Sequence, residues 1–365
     1  MESEIIKKLL LFGDAGVDAA LVTIIRTLGS TPRNPGAKML VLPDGSIYGT
    51  IGGGCGEAEV RREALAVLLD SKVSKKFRLE LTNDVAAGDG MICGGVFEVF
   101  IDFISHEDSM SKQVFSDYLE SFPKKENPVL ATIIGSGTKE ENLGRKMVFL
   151  PGKKEIGDLL IPEIAEQVRK IVEMFRGERK IKLLTVSAGE INNVEVLLEP
   201  AHKSPQLLIL GGGHIAKQIV KMASILGCNT TVVDDRPFFA NTARFPEADQ
   251  VVCQDFNGFI KDVKTSPDTF VVIVTRGHQH DLECLREVVD KPSAYIGMIG
   301  SRRKVKEVLK QLESEGVSAE KLNKVYSPIG IDIGSETSEE IALSILAEIV
   351  SVWRYGNHRF INNVR

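Results

Sequence analysis

The sequence predicts an α/β protein in two parts: an N-terminal α+β domain built from an internal repeat, followed by a C-terminal Rossmann-like, doubly wound parallel sheet. Three observations carry that expectation. Motifs of the first half recur, in the same order, later in that half. A short polar linker with two prolines, Glu199-Pro200-Ala201-His202-Lys203-Ser204-Pro205, then interrupts the pattern. Beyond it, an apolar strand runs into Gly211-Gly212-Gly213 and an amphipathic helix. The expected domains are residues 1–203 and 204–365, and 365 residues suffice for two hydrophobic cores.

The opening Met1-Glu2-Ser3-Glu4 leads into a mixed helix, so no signal peptide is expected. Leu21-Val22-Thr23-Ile24-Ile25 then pairs by sequence with Leu130-Ala131-Thr132-Ile133-Ile134. Gly36-Ala37-Lys38-Met39-Leu40-Val41-Leu42-Pro43 pairs with Gly144-Arg145-Lys146-Met147-Val148-Phe149-Leu150-Pro151. Phe97-Glu98-Val99-Phe100 pairs with Val194-Glu195-Val196-Leu197, so the copies span about 20–103 and 129–199. Each copy reads as strand, hairpin, helix and closing strand pair.

The copies differ at one turn. Copy one has Gly49-Thr50-Ile51-Gly52-Gly53-Gly54-Cys55-Gly56-Glu57, where a hairpin hands over to a helix from Ala58 to Leu69. Copy two has Asp158-Leu159-Leu160-Ile161-Pro162. A glycine loop kept in one copy only points to function rather than packing. Glycines let backbone amides approach an anionic ligand, and a helix N-terminus stabilises a thiolate at Cys55. Cys93 lies in a second glycine-rich turn, Gly88-Asp89-Gly90-Met91-Ile92-Cys93-Gly94-Gly95, without a counterpart in copy two. Cys228, Cys253 and Cys284 read as small buried hydrophobes. The loop Gly29 to Lys38 offers Ser30, Thr31, Arg33 and Lys38 either to an anion or to solvent.

In the second half, Gly211-Gly212-Gly213-His214-Ile215-Ala216 fits G-x-G-x-x-A between strand and helix. The next strand ends in Asp234-Asp235, where dinucleotide folds place the acid that holds a ribose, and Arg236 leaves a phosphorylated ribose open. The expected nucleotide-binding set is Gly211, Gly213, His214, Asp234, Asp235, Arg236, Arg302 and Arg303. Strand order brings the turn holding His278, His280 and Asp281 to the same cleft. The His278-Gln279-His280-Asp281 run reads as helix capping rather than a metal site. Arg302 and Arg303, at a helix start, suit either a phosphate or solvent.

Composition excludes several classes. Forty-five basic against 50 acidic residues give a formal charge of −5, so nucleic acid is not an expected partner. No apolar run reaches bilayer length, so no membrane partner is expected either. Five cysteines, an odd number without C-x-x-C spacing, point to a reducing, cytoplasmic setting. The C-terminal apolar stripe (Ile341, Ile345, Leu346, Ile349, Trp353) either covers the sheet or forms a homodimer.

Together these residues resemble the XdhC/CoxI family, the accessory factors of xanthine dehydrogenase and related molybdenum hydroxylases. The resemblance rests on Gly29-Ser30-Thr31-Pro32-Arg33 through Gly36-Ala37-Lys38-Met39, on Gly53-Gly54-Cys55 with Glu57, and on Cys93-Gly94-Gly95. It continues through Gly211 to His214, Val233-Asp234-Asp235-Arg236, Thr275-Arg276-Gly277-His278 with His280-Asp281, and Ile299 to Arg303. The segment Pro328 to Gly334 closes the pattern. The resemblance implies a chaperone rather than a turnover enzyme. Such a protein binds molybdenum cofactor (molybdopterin), assists its sulfuration with a cysteine desulfurase, and delivers it to an apo molybdenum hydroxylase.

Carried onto this chain, Cys55 and Cys93 are the thiols expected to meet the cofactor, among Gly52, Gly53, Gly54, Glu57, Arg33 and Lys38. Apart from a contact of Cys55 with molybdenum, no direct metal ligation is expected. Gly52 and Gly56 stand where the family often has a serine and a bulkier apolar residue. The rival expectation is an NAD(P)-dependent oxidoreductase, with Gly211, Gly213 and Asp234 on the dinucleotide. His278, His280 and Asp281 would then be its catalytic candidates.

Overall fold

The structure, a computed structural model, describes residues 2–80, 95–121, 127–135, 140–175, 178, 180–189, 191–201 and 204–356. The chain divides into two compact units, Met1–Lys203 and Ser204–Arg365.

In the first unit, helix α1 (Glu2–Asp14) precedes strands β1 (Ala19–Leu28), β2 (Lys38–Val41) and β3 (Ile47–Gly49). Helix α2 (Gly54–Ala66) leads to β4 (Lys75–Glu80) and β5 (Val96–Ile104), and α3 (Ser109–Glu120) ends this copy. The second copy runs β6 (Val129–Gly135), β7 (Lys146–Phe149), β8 (Glu155–Gly157), α4 (Pro162–Phe175), β9 (Lys182–Ala188) and β10 (Ile191–Pro200). The resulting sheets have the same order, β3-β2-β1-β5-β4 and β8-β7-β6-β10-β9, and every pairing is antiparallel.

Alternation along the strands decides the layers. On β1, Ala20, Val22 and Ile24 pack with Val60 and Ala64 of α2. The intervening Leu21 and Ile25 face the other way, into clusters shared with the second sheet: Leu21 with Leu130 and Val148, Ile25 with Phe100, Ile134 and Leu197. Ala131 and Ile133 of β6 face α4 in turn. The unit is therefore two sheets face to face, with α2 and α4 on their outer surfaces.

Charged groups are buried between those sheets. Lys38 of copy one bonds Glu199 of copy two, with a further bond to the Thr23 hydroxyl at 3.0 Å. Lys146, the repeat equivalent of Lys38, lies 3.3 Å from Asp102, the repeat equivalent of Glu199. Burial pushes the Asp102 carboxyl above its ordinary range, against the pull of Lys146. The pairs are crossed, each lysine being neutralised by the opposite repeat.

The second unit alternates strand and helix: β11 (Gln206–Leu210), α5 (His214–Ile225), β12 (Asn229–Asp234), β13 (Gln250–Cys253), α6 (Phe256–Asp262), β14 (Thr269–Ile273) and α7 (His278–Val288). It ends with β15 (Tyr295–Met298), α8 (Arg302–Ser314), α9 (Ala319–Leu322), β16 (Val325–Tyr326) and α10 (Ser338–Tyr355). All pairings are parallel in the order β13-β12-β11-β14-β15-β16, so the connections reverse direction between β11 and β14. Helices α5 and α10 share one core with one face of the sheet, while α6, α7 and α8 share the core on the other. That is the doubly wound arrangement, and its switch point is the crevice beyond β11 and β14. Ile345, Leu346 and Ile349 of the C-terminal stripe are buried against the sheet.

Candidate functional site

The glycine turn of the first unit is built as an entry to α2. Gly52, Gly53 and Gly54 have φ of 135°, 75° and 67°, and Gly53 is the N-cap. Copy two passes this point without glycine: Leu160, the equivalent of Gly52, also has a positive φ, but of 72° rather than 135°. At φ 135° a side chain on Gly52 would be strained, though strain by itself does not forbid one. Close approach does, because a Cβ there would lie 2.4 Å from Cγ of Pro32. Gly53 faces open space instead, with nothing within 4 Å of the Cβ position. Cys55, a half-buried reduced thiol, follows in the first turn of α2.

The loop after β1 ties these pieces together. Pro32 covers Gly52, and two residues earlier the Ser30 carbonyl oxygen would lie 2.2 Å from a Cβ at Gly95. Gly95, the last residue of the second glycine-rich turn, thus lies against the Ser30–Thr31 backbone. Cys93 itself lies outside the described residues. Arg33 is exposed beside Pro32.

Two members of the expected cofactor set face elsewhere. Lys38 is only 5% exposed and points between the sheets to Glu199, because β2 alternation puts Lys38 and Leu40 on the inner face. Glu57 turns back under the glycine loop, where one oxygen accepts from the Thr50 hydroxyl (2.6 Å), the Ile51 amide (3.0 Å) and the Gly53 amide (3.2 Å). Glu57 thus holds the loop in shape, and those two amides are engaged. Thr50 escaped the sequence reading; the T-x-x-x-x-x-x-E spacing becomes a signal only once the loop is known to curl back.

In the second unit the glycine roles are legible in space. Gly211 (φ 113°) turns tightly against β14, its Cβ position 2.4 Å from the Val274 carbonyl oxygen. Gly213, the N-cap of α5, has nothing within 4 Å of its Cβ position, and Ala216 is fully buried against the sheet. These are the three functions that the dinucleotide fingerprint requires.

Around that turn the polar residues are heavily committed. Asp234, 1% exposed, accepts from the Gly212 amide (2.8 Å), the Arg236 amide (3.1 Å) and Arg236 Nε and Nη2 (2.8 and 2.9 Å). Burial works to raise its pKa, but these hydrogen bonds outweigh it and hold the group below the usual carboxylate range. Asp235 forms a forked pair with Arg276, at 3.1 and 2.9 Å. Asp281, expected as a catalytic group, is fully buried and anchors the Thr275 hydroxyl (2.5 Å) and Lys304, joining the ends of β14 and β15. His280 packs on Phe256 at 5.7 Å, with Nδ1 3.2 Å from Glu283. His214 and His278 begin α5 and α7 and are exposed at the ends of neighbouring strands. Arg302 and Arg303 open α8; both are exposed, and Arg303 pairs with Glu307 at 3.1 Å.

The other cysteines divide. Burial raises the Cys228 thiol pKa to about 11 and that of Cys284 further, so both are inert packing groups. Cys253, expected to be buried, is exposed at the end of the edge strand β13. Among the described residues no group of three or more His, Cys, Asp or Glu could hold a metal ion, and no helix is long and apolar enough to cross a membrane. Sequence reading also passed over Arg244, Phe239 and the pairing role of Arg276. The adjacent Phe238-Phe239 directly after Asp-Asp-Arg-Pro is the signal that was present.

The fold and these two turns define a class: a doubly wound Rossmann unit preceded by a duplicated unit that presents a cysteine at a glycine-rich helix start. The chain belongs to the XdhC and CoxI family. The family's own model matches residues 13–78, and that of the XdhC Rossmann domain matches residues 207–349. The chain is 27% identical over 334 residues to the uncharacterized protein YqeB of Escherichia coli (strain K12), covering 91% of this chain but only 43% of that protein. It is 26% identical to a protein of Bacillus subtilis (strain 168) described as a probable xanthine dehydrogenase subunit, over 91% of this chain and 92% of that one. It is 22% identical to the molybdenum cofactor insertion chaperone PaoD of Escherichia coli (strain K12), covering 93% and 84%. A crystal structure of a xanthine dehydrogenase from Bacillus halodurans shares the fold, with a TM-score of 0.78 at 23% identity over 99% of this chain and 98% of that chain.

Proposed function

We propose that this protein is an accessory factor of a molybdenum hydroxylase, binding molybdenum cofactor at the glycine turn of the first unit and passing it to the apo-enzyme. The observation that carries the reading is Cys55, a half-buried thiol in the first turn of α2 beside the open face of Gly53. A relative named as a molybdenum cofactor insertion chaperone supports it. The residues fit such a group: a thiol suits a soft metal, a glycine without a side chain admits a flat pterin, and Arg33 at the rim suits a phosphate. When bound, the cofactor brings a sulfur-ligated molybdenum centre.

The chain's own part is to hold and shield. Glu57 keeps the loop curled by binding the Ile51 and Gly53 amides, and Pro32 closes against Gly52, so that Cys55 is presented at a fixed place. Cys93 belongs to the same site in this reading, with a cysteine desulfurase as the sulfur-supplying partner, a homodimer as the working form and the cytoplasm as the setting. The rival oxidoreductase reading loses force, since Asp281 and His280 are both engaged within the fold.

The test is Cys55→Ala in the full chain. Fluorescence of oxidised pterin released from the purified variant should fall to background, and activation of the apo-hydroxylase should fall with it. Wild-type pterin loading and activation in the variant would remove the assignment.

A further inference from the structure

The second unit's cleft carries an observation that the chaperone reading does not use. Its ribose-binding acid is saturated: an ionised carboxylate has about four acceptor sites, and Asp234 receives four donors from Gly212 and Arg236. Asp235, the next candidate, is forked to Arg276. Asp234 therefore has no site left for the two hydroxyls of an unmodified ribose, and Asp235 keeps only the sites that its fork with Arg276 leaves over.

What the cleft offers instead is guanidinium. Arg236 and Arg244 lie over the Phe239 ring, at 3.8 and 5.0 Å from its centre. Arg244 Nε donates to the Gly212 carbonyl at 3.0 Å, which fixes this side chain at the glycine turn itself. Its Nη2 is buried without a hydrogen-bond partner, and among the described residues no carboxylate lies within ion-pair distance of Arg244. A buried guanidinium nitrogen without an acceptor is costly, and an anion is the group that resolves it. Three guanidiniums (Arg236, Arg244, Arg276) here face two carboxylates, next to the open side of Gly213.

We infer that the Rossmann cleft binds a nucleotide whose ribose carries a phosphate monoester, with Arg244 and Arg236 as the residues that select it. This goes beyond the chaperone reading and does not depend on it. The ribose phosphate is a better match than a diol because Arg244 brings a donor without an acceptor while Asp234 has no acceptor site left.

The test is isothermal titration of the purified full chain, without molybdenum cofactor, with 2′,5′-ADP, 3′,5′-ADP and 5′-AMP. At least one of the two ribose-phosphorylated probes should bind about tenfold or more tightly than 5′-AMP, as expected for one added charge-assisted contact. The stronger arm identifies the carrier as a nicotinamide-type or a coenzyme A-type nucleotide. In Arg244→Gln the preference for the ribose-phosphorylated probe should fall severalfold or more. Equal or tighter binding of 5′-AMP to the wild-type chain, or no binding of any probe, would overturn the inference. So would an undiminished preference in a folded Arg244→Gln variant. Because the wild-type comparison needs no mutant, instability of the variant leaves the test intact, and loss of pterin in Cys55→Ala has no bearing on it.

Discussion

Asp234 shows what a single residue does when it is read both ways. Its position at the end of β12 was legible from the strand pattern and the spacing to Gly211-Gly212-Gly213, which is a matter of local periodicity. Its commitment was not legible, although the partner Arg236 is only two residues away, because the direction of a side chain after a strand end depends on the Phe239 surface beneath it. The consequence is a pH effect. The folded pKa lies below the ordinary value of about 3.9, so the unfolded chain binds more protons in acid. The stabilisation is fully present above about pH 4 and is lost as pH falls through the depressed value. Asp234→Asn should therefore cost about 2–3 kcal/mol at neutral pH, and that difference from wild type should shrink below pH 4. The single tryptophan, Trp353, sits in α10 of this unit, so its fluorescence in urea titrations at pH 7 and pH 3 reads both numbers. A pH-independent difference would show that the Gly212 and Arg236 bonds do not depress the group.

At the scale of an element, the turn into α2 separates two reasons for glycine. Sequence comparison of the repeats located the turn, since β2-β3 and β7-β8 carry matching hairpins and only one leads into Gly-Gly-Gly-Cys. It did not show that Leu160 takes a positive φ of its own, which requires the surrounding structure to absorb strain. Nor did it show that Pro32, from a different loop, leaves no room for a side-chain carbon on Gly52. Gly52→Ala therefore meets both an unfavourable φ and a rigid ring, and should destabilise the first unit by about 2–4 kcal/mol. Gly53→Ala meets only the backbone strain of φ 75° and ψ −176°, about 1–3 kcal/mol, because its Cβ position faces open space. Far-UV circular dichroism in denaturant compares them, and equal losses would mean that Pro32 yields without cost. If the open face of Gly53 is where the pterin lies, Gly53→Ala should in addition lose more bound pterin than its stability loss explains.

For the first unit as a whole, the repeat has a physical purpose that no motif discloses. Lys38 and Glu199 are 161 residues apart, and Lys146 and Asp102 lie 44 apart, yet the face-to-face packing of the sheets brings both pairs inside. The sequence reading placed Lys38 on a ligand because a lysine beside a glycine loop resembles an anion site, and nothing local indicates a partner at the far end of the other copy. Once the sheets are stacked the outcome is forced. Inner-face positions exclude water, and a lysine there has to be neutralised by the opposing sheet. The crossed arrangement joins one copy to the other and penalises any slip of one sheet over the other. Lys38→Met alone leaves Glu199 buried without its cation and should cost about 3–5 kcal/mol in unfolding of the first unit. The double variant Lys38→Met with Glu199→Leu removes both charges, and should recover most of that loss, because desolvation of the pair offsets much of its attraction. Denaturant unfolding followed by far-UV circular dichroism measures the recovery, with Trp353 fluorescence as an internal reference in the other unit. If the double variant is as unstable as the single one, the lysine stabilises the interface through its aliphatic packing and the Thr23 bond rather than through the ion pair.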